Sequence, residues 1–210
     1  MRTTRLAALA AMALLAAFLP LPAIGGDLEI TPFAGYTWGG QFSDSVTGNT
    51  LKVDETANYG VMVDVKQDEQ AQIELYFSRQ ATQLKADRGL FTGNPLFDLD
   101  IEYYHIGGTY SPDSDDFGKA KPFVVGTLGA THMVPQGPGL DALTKFSLSL
   151  GGGVKLYATD RVGLRLEGRW FGTLFNGSGS AFCTSGTCAI HVQGDLFSQF
   201  VANAGLIIAF

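Results

Sequence analysis

The chain has 210 residues, with 14 Lys or Arg against 20 Asp or Glu for a formal net charge of −6; 46% of residues are hydrophobic and only 16% are charged. That acidity argues against a nucleic-acid partner, which would require a basic surface. Beyond the first 26 residues, Gly, charged and amide residues break every apolar run well short of the roughly 18 that a spanning helix needs, so helical membrane topology is excluded too.

Residues 1–26 read as a secretory signal. Arg2 and Arg5 form a positive start, an apolar stretch runs from Leu6 to Leu19, and Pro20 and Pro22 precede the small residues Ala23 and Gly25. Cleavage is expected after Gly25 or Gly26, leaving a single domain over 27–210. An uncleaved helical anchor would use the same apolar stretch, but the two prolines interrupt it. Without Arg2 and Arg5 the mature chain keeps 12 basic residues against 20 acidic ones, a charge of −8.

The rest divides into eight strand-like segments of alternating hydrophobicity. The first covers 28–40, followed by a polar loop to Thr56; the second, 57–66, meets the third, 71–82, through Gln67-Asp-Glu-Gln70. A longer loop through Lys85 to Pro95 leads to the fourth, 98–110, which exits into a turn at 112–118. The fifth spans 121–133, and the loop Pro135-Gln-Gly-Pro-Gly139 leads to the sixth, 144–157. Only Ala158-Thr-Asp160 separates it from the seventh, 161–174, and a Gly/Ser/Thr-rich loop to about Asp195 precedes the eighth, which ends at Phe210. Long and short connections alternate, as expected when an even number of antiparallel strands crosses a membrane as a closed up-and-down barrel.

Side-chain alternation then separates lipid from lumen. On the third segment Ala71, Ile73, Leu75 and Phe77 face lipid. So do Phe146, Leu148, Leu150, Val154 and Leu156 on the sixth, Val162, Leu164, Leu166 and Trp170 on the seventh, and Phe200 to Phe210 at alternate positions on the last. The opposite faces place Asp64, Glu74, Glu102, Lys155, Arg165, Glu167 and Arg169 in the lumen, as a charge network that either plugs it or lines a narrow path. The fifth segment shows no decisively polar face, which leaves room for a bulge or a glycine bend. Tyr36, Trp38, Phe77, Tyr103, Trp170 and Phe171 are expected in interfacial girdles.

Cys183 and Cys188 suit a local disulfide in an exported chain. With only His191 nearby they do not complete a tetrahedral metal site, and no metal or cofactor is expected. None of His105, His132 and His191 is followed two positions on by Ser, so no nucleophile and base stand at strand spacing and the chain reads as non-catalytic. Only a triad assembled across strands would change that. A soluble β-sandwich would share the alternation and the cysteines but would not explain the terminal aromatic strand.

The segment Gly151-Gly-Gly-Val-Lys-Leu-Tyr-Ala-Thr-Asp-Arg-Val-Gly-Leu-Arg-Leu-Glu-Gly-Arg-Trp170, with the final strand ending on Phe210, resembles the small bacterial outer-membrane β-barrel family, the OmpA/OmpW/OmpX-like group of porin-like outer-membrane proteins. The resemblance implies an eight-stranded antiparallel transmembrane β-barrel in the outer membrane of a Gram-negative bacterium. It also implies contact with outer-membrane lipid and lipopolysaccharide, and makes Phe210 the signal read by the barrel-assembly machinery. The barrel is expected to be the whole mature protein, without the wall-binding domain of OmpA relatives. The His-x-Ser pair of lipid A deacylases is missing. A structural or surface-loop role with an extracellular ligand, a narrow channel for ions or small hydrophobic molecules, and a lipid-modifying enzyme are the three functions this fold allows.

Overall fold

The computed structural model describes residues 28–43, 50–88, 91–112, 120–137, 140–175, 178–184, 187–193 and 196–210. The expected signal segment lies outside them. The strands are β1 (Leu28–Gly39), β2 (Gln41–Ser43), β3 (Thr50–Val53), β4 (Thr56–Lys66), β5 (Ala71–Arg88), β6 (Phe91–Tyr110), β7 (Ala120–Gln136), β8 (Leu143–Tyr157), β9 (Val162–Leu174), β10 (Ser178–Thr184), β11 (Thr187–Gln193) and β12 (Leu196–Ala209). The long ones, β1, β4 to β9 and β12, pair antiparallel in sequence, and β1 closes on β12, with Ile30 opposite Ile208 and Trp38 opposite Phe200. The result is an eight-stranded barrel without a free edge, the only way a sheet can satisfy its backbone in lipid.

One end carries short turns, the start of β1 and the end of β12. Between β4 and β5 the Asp68 carboxylate accepts from the amides of Gln70 at 2.8 Å and Ala71 at 2.7 Å. Between β8 and β9 the Thr159 hydroxyl accepts from the Val162 amide at 3.1 Å. The Phe210 amide donates to the Leu28 carbonyl at 2.9 Å, fastening the last residue to the first strand. We call this the turn end and the opposite one the loop end.

Alternation sorts the wall. On β9, Arg165, Glu167, Arg169 and Phe171 are buried while Leu164, Leu166 and Gly168 are exposed. Ile106, Val124, Leu128, Leu150, Phe200 and Leu206 join them outside, with Leu150 59% exposed. A continuous apolar belt of this size is a liability in water and is what a lipid-facing wall requires.

The fifth segment, whose facing the sequence left open, is regular. β7 keeps unbroken register with β8 from Ala120 opposite Leu156 to Met133 opposite Leu143. Phe123, Val125, Thr127, Thr131 and Met133 point inward, and Val124 and Leu128 point out. Its inner face looked apolar because Phe123 is a platform for a charge: the Arg165 guanidinium lies 4.4 Å from its ring centroid.

The loop end is more ordered than its polar sequence suggested. The expected loop after Thr82 is instead a continuation of the β5–β6 hairpin, with Lys85 opposite Pro95 at an irregularity in register, where a ladder bond can be given up to proline. The polar stretch after β1 holds β2 and β3, and β3 adds to β5 with Leu51 opposite Ala86. Gly39 and Gly40, with φ of 82° and 97°, turn the chain out of β1. A Cβ on Gly40 would lie 2.9 Å from Cζ of Phe197. The expected loop before β12 contains the hairpin β10–β11.

Candidate functional site

The interior is the chemically distinctive part of the molecule, and register builds it. On the inner faces of β1, β4 and β5, Glu29 stands opposite Asp64 and Asp64 opposite Glu74, a row of three carboxylates. On β8 and β9, Lys155 stands opposite Arg165, with Glu167 and Arg169 following along β9. Like charges side by side on one sheet repel. Each row is held by the one facing it across the lumen.

Arg165 Nη1 donates to Asp64 Oδ2 at 2.9 Å and Nη2 to Glu74 Oε2 at 2.6 Å, while Nε donates to Glu167 Oε2 at 3.0 Å. Arg169 donates from Nη2 to Glu74 Oε1 at 2.8 Å and from Nε to Glu167 Oε1 at 2.7 Å. Its guanidinium lies 4.3 Å from the Tyr76 ring centroid. Nearer the turn end, Lys155 Nζ reaches both Glu29 and Gln72 at 2.6 Å, and the Tyr157 hydroxyl donates to Glu29 at 2.6 Å. Arg165 is only 1% exposed, so these bonds replace hydration almost completely. Interior glycines make the room: a Cβ on Gly151 would meet the Arg169 backbone, and one on Gly153 would lie 2.0 Å from the Leu166 carbonyl.

Above the ions lies a layer of hydroxyls, amides and rings. The Tyr103 hydroxyl donates to Gln199 Oε1 at 2.7 Å, Gln199 Nε2 donates to Gln80, and the Thr131 and Thr173 hydroxyls meet at 2.7 Å. His105 lies 2.8 Å from Ser147 Oγ through Nε2 and 3.0 Å from Thr127 Oγ1 through Nδ1. This is a cross-strand Ser–His pair that linear spacing did not reveal. Its third member is a hydroxyl where a carboxylate would be needed to steady an imidazolium, and Ser147 is fully buried. At the loop end Leu84, Leu99, Ile101, Met133 and Phe197 form an apolar cluster, with Leu51 and Val53 of β3 packed over it.

At the turn end a vestibule of about 300 Å³ opens onto the network, lined by Glu29, Lys66, Glu69, Lys121, Lys155 and Asp160 among others. There the hydrogen bond from Lys66 at 2.9 Å holds the fully exposed Glu69 carboxyl below its ordinary value.

Of the residues expected in the lumen, Asp64, Glu74, Lys155, Arg165, Glu167 and Arg169 lie together there. Glu102 does not. It falls between the inward-facing Ile101 and Tyr103 and points out, where it accepts from the Tyr104 hydroxyl at 2.8 Å and lies 3.7 Å from Arg79. Conversely Tyr103 and Phe171, expected in the girdles, are inside and stacked at 4.2 Å. Trp170 remains on the outer wall, donating to Ser198 Oγ at 2.6 Å, and Tyr36 and Trp38 lie together there. Glu29 and Tyr157 were missed. Their signal was available in the inward parity of Glu29 with Thr31 and Phe33 and of Tyr157 with Lys155. The side chains of Cys183, Cys188 and His191 lie outside the described residues, although the backbone register sets Cys183 opposite Cys188.

No protein-family model matches the chain and no curated protein matches it in sequence. Solved structures match in shape. Neisserial surface protein A is 15% identical over 87% of this chain and 97% of its own, with a TM-score of 0.57. The outer membrane protein OprG from Pseudomonas aeruginosa is 15% identical over 89% and 96%, also at 0.57. The outer membrane protein AlkL, solved in lipid bilayers, is 14% identical over 91% and 95%, again at 0.57. By fold, the chain is similar to these small barrels of outer-membrane proteins and is itself an eight-stranded antiparallel β-barrel.

Proposed function

We propose that the protein is a closed barrel of the bacterial outer membrane that acts through what it displays at the loop end, and is neither a pore nor an enzyme. The observation that carries this is the filled interior: ion pairs, hydrogen-bonded hydroxyls and an apolar cluster succeed one another between turn end and loop end. An eight-stranded barrel has room for little more than its own side chains. In this reading the turn end faces the periplasm, and residues 1–26 are the signal removed on export. Phe210 engages the assembly machinery, and the belt meets lipid and lipopolysaccharide.

The displayed elements are β2, β3, the extended β5–β6 hairpin and β10–β11. Directly opposed cysteines suit a cross-strand disulfide, which would hold β10–β11 in shape for an extracellular ligand. The charge network is assigned a structural role.

The test excises 178–193, closes the gap with a short Gly/Ser linker, and compares surface binding of whole cells to host or matrix components with and without the segment. A variant that still assembles, as judged by slower gel migration after boiling, should lose binding. Unchanged binding with every displayed hairpin shortened in turn would refute the display role. The competing channel reading draws on the Arg165 and Arg169 pair as an anion-selective lining, and current across a bilayer separates the two.

A further inference from the structure

Among the described residues, the buried lumen network contains four carboxylates, Glu29, Asp64, Glu74 and Glu167, against three cations, Lys155, Arg165 and Arg169. Among the network's carboxylate oxygens only Asp64 Oδ1 lacks a donor, and on the cation side Arg169 Nη1 is unpartnered. Asp64 stands in the middle of the carboxylate row with Glu29 directly opposite on one side and Glu74 on the other. Its Oδ2 takes the bond from Arg165 at 2.9 Å and faces Lys155 at 3.7 Å. Its Oδ1 is buried and has no hydrogen-bond donor among the described residues.

The remaining donors of the cations around it are committed elsewhere. Lys155 is bonded to Glu29 and Gln72 at 2.6 Å, and Arg165 spends Nε and Nη2 on Glu167 and Glu74. A second oxygen in the same state belongs to the inner face of the neighbouring strand: Thr31 Oγ1 is also buried and unpartnered. Thr31 is 0% exposed, and so is Asp64. Thr31 faces inward on β1, opposite Met62, which makes it the diagonal cross-strand neighbour of Asp64. A buried carboxylate oxygen without a donor, flanked by two other carboxylates, is among the costliest arrangements a low-dielectric interior can hold.

We infer that the folded barrel binds one small monovalent cation, a proton or an alkali-metal ion, between Asp64 Oδ1 and Thr31 Oγ1. Either species supplies the missing positive charge. As a carboxylic acid, Asp64 sheds its uncompensated charge; with an alkali ion, Oδ1 and Thr31 Oγ1 are ligands. The charged and titratable groups facing Asp64 are Glu29 from β1, Glu74 from β5, Lys155 and Tyr157 from β8, and Arg165, Glu167 and Arg169 from β9. Each of these groups has bonded partners within this network.

The test refolds the mature chain into neutral-lipid vesicles and confirms closure by the gel shift on boiling, so that a failed barrel is told apart from a failed site. Urea unfolding is then recorded at constant ionic strength in sodium, potassium or tetramethylammonium chloride, alongside the infrared carbonyl band of protonated carboxyl groups. A midpoint that falls in tetramethylammonium identifies an alkali ion. A cation-independent midpoint with a protonated-carboxyl band identifies a proton. Either signature should vanish in Asp64→Asn, whose amide supplies a donor without the charge. Should that variant not refold, Thr31→Val keeps the charge and must weaken the alkali dependence or shift the band. Absence of both signatures in the wild type, or their persistence unchanged in the variants, overturns the inference.

Discussion

Replacing Arg165 by Met keeps an apolar stem of similar length and removes every donor the guanidinium supplies. Three carboxylates then lose a partner at once: Asp64 at 2.9 Å, Glu74 at 2.6 Å and Glu167 at 3.0 Å. Breaking a single buried pair by deleting one member costs about 3–5 kcal/mol, because the other charge stays buried. Glu74 and Glu167 retain Arg169, at 2.8 and 2.7 Å, so the loss should lie at the upper end of that range and not at three times it. With a urea dependence of about 2 kcal/mol/M, a loss of about 5 kcal/mol lowers the midpoint by about 2.5 M. The assay is urea unfolding of the barrel in lipid vesicles, followed by tryptophan fluorescence and by the fraction that shifts on a gel after boiling. Adding Glu74→Gln should recover part of the loss, with a coupling of about 0.5–3 kcal/mol. Arg79→Met is the control: it removes a 2.7 Å pair to Asp100 on the outer wall, where Arg79 is 41% exposed, and should cost about 1 kcal/mol or less. Equal midpoints for Arg165→Met and wild type would refute the view that opposed charge rows hold the interior together.

Three further outcomes follow from the packing. Gly153→Ala places a Cβ 2.0 Å from the Leu166 carbonyl and should destabilise by about 1–3 kcal/mol in the same unfolding assay, whereas Gly168→Ala, with nothing within 4 Å, should be silent. Leu99→Ala in the fully buried loop-end cluster should cost about 2–5 kcal/mol, and a smaller loss would mean the cluster is not packed. Leu150→Arg on the exposed belt should cost about 2–4 kcal/mol in a bilayer if that position lies near the membrane midplane, and a stabilising or neutral effect would argue against lipid contact there.

How far the sequence reads through to this structure depends on local contrast. On β9 the outward positions Val162, Leu164 and Leu166 are apolar and the inward ones Arg165, Glu167 and Arg169 are charged, so period-two alternation assigns both faces directly. On β7 the contrast disappears because the plug itself needs rings and aliphatics, as Phe123 under Arg165 illustrates. Glu102 was misplaced for the converse reason: beside Arg79 and Tyr104 a carboxylate can sit on the outer wall, so polarity alone does not mean lumen. Tyr103 was drawn into the girdle by its residue type, although its parity with Ile101 and His105 places it inside.

The loop-end cluster was illegible for another reason. Leu51 and Val53 cover the mouth only because β3, besides pairing with β2, pairs with the distant β5, a choice no local pattern encodes. The same holds for the Ser147–His105 contact, which joins residues from β8 and β6 that are not adjacent strands.

Closure of the lumen is tested by single-channel current across a planar bilayer holding the refolded mature chain, with insertion confirmed independently. A closed lumen gives a silent bilayer for the wild type. Discrete, reproducible conductance steps would contradict it, and anion selectivity lost in Arg165→Met would then mark the charged rows as the lining of a path.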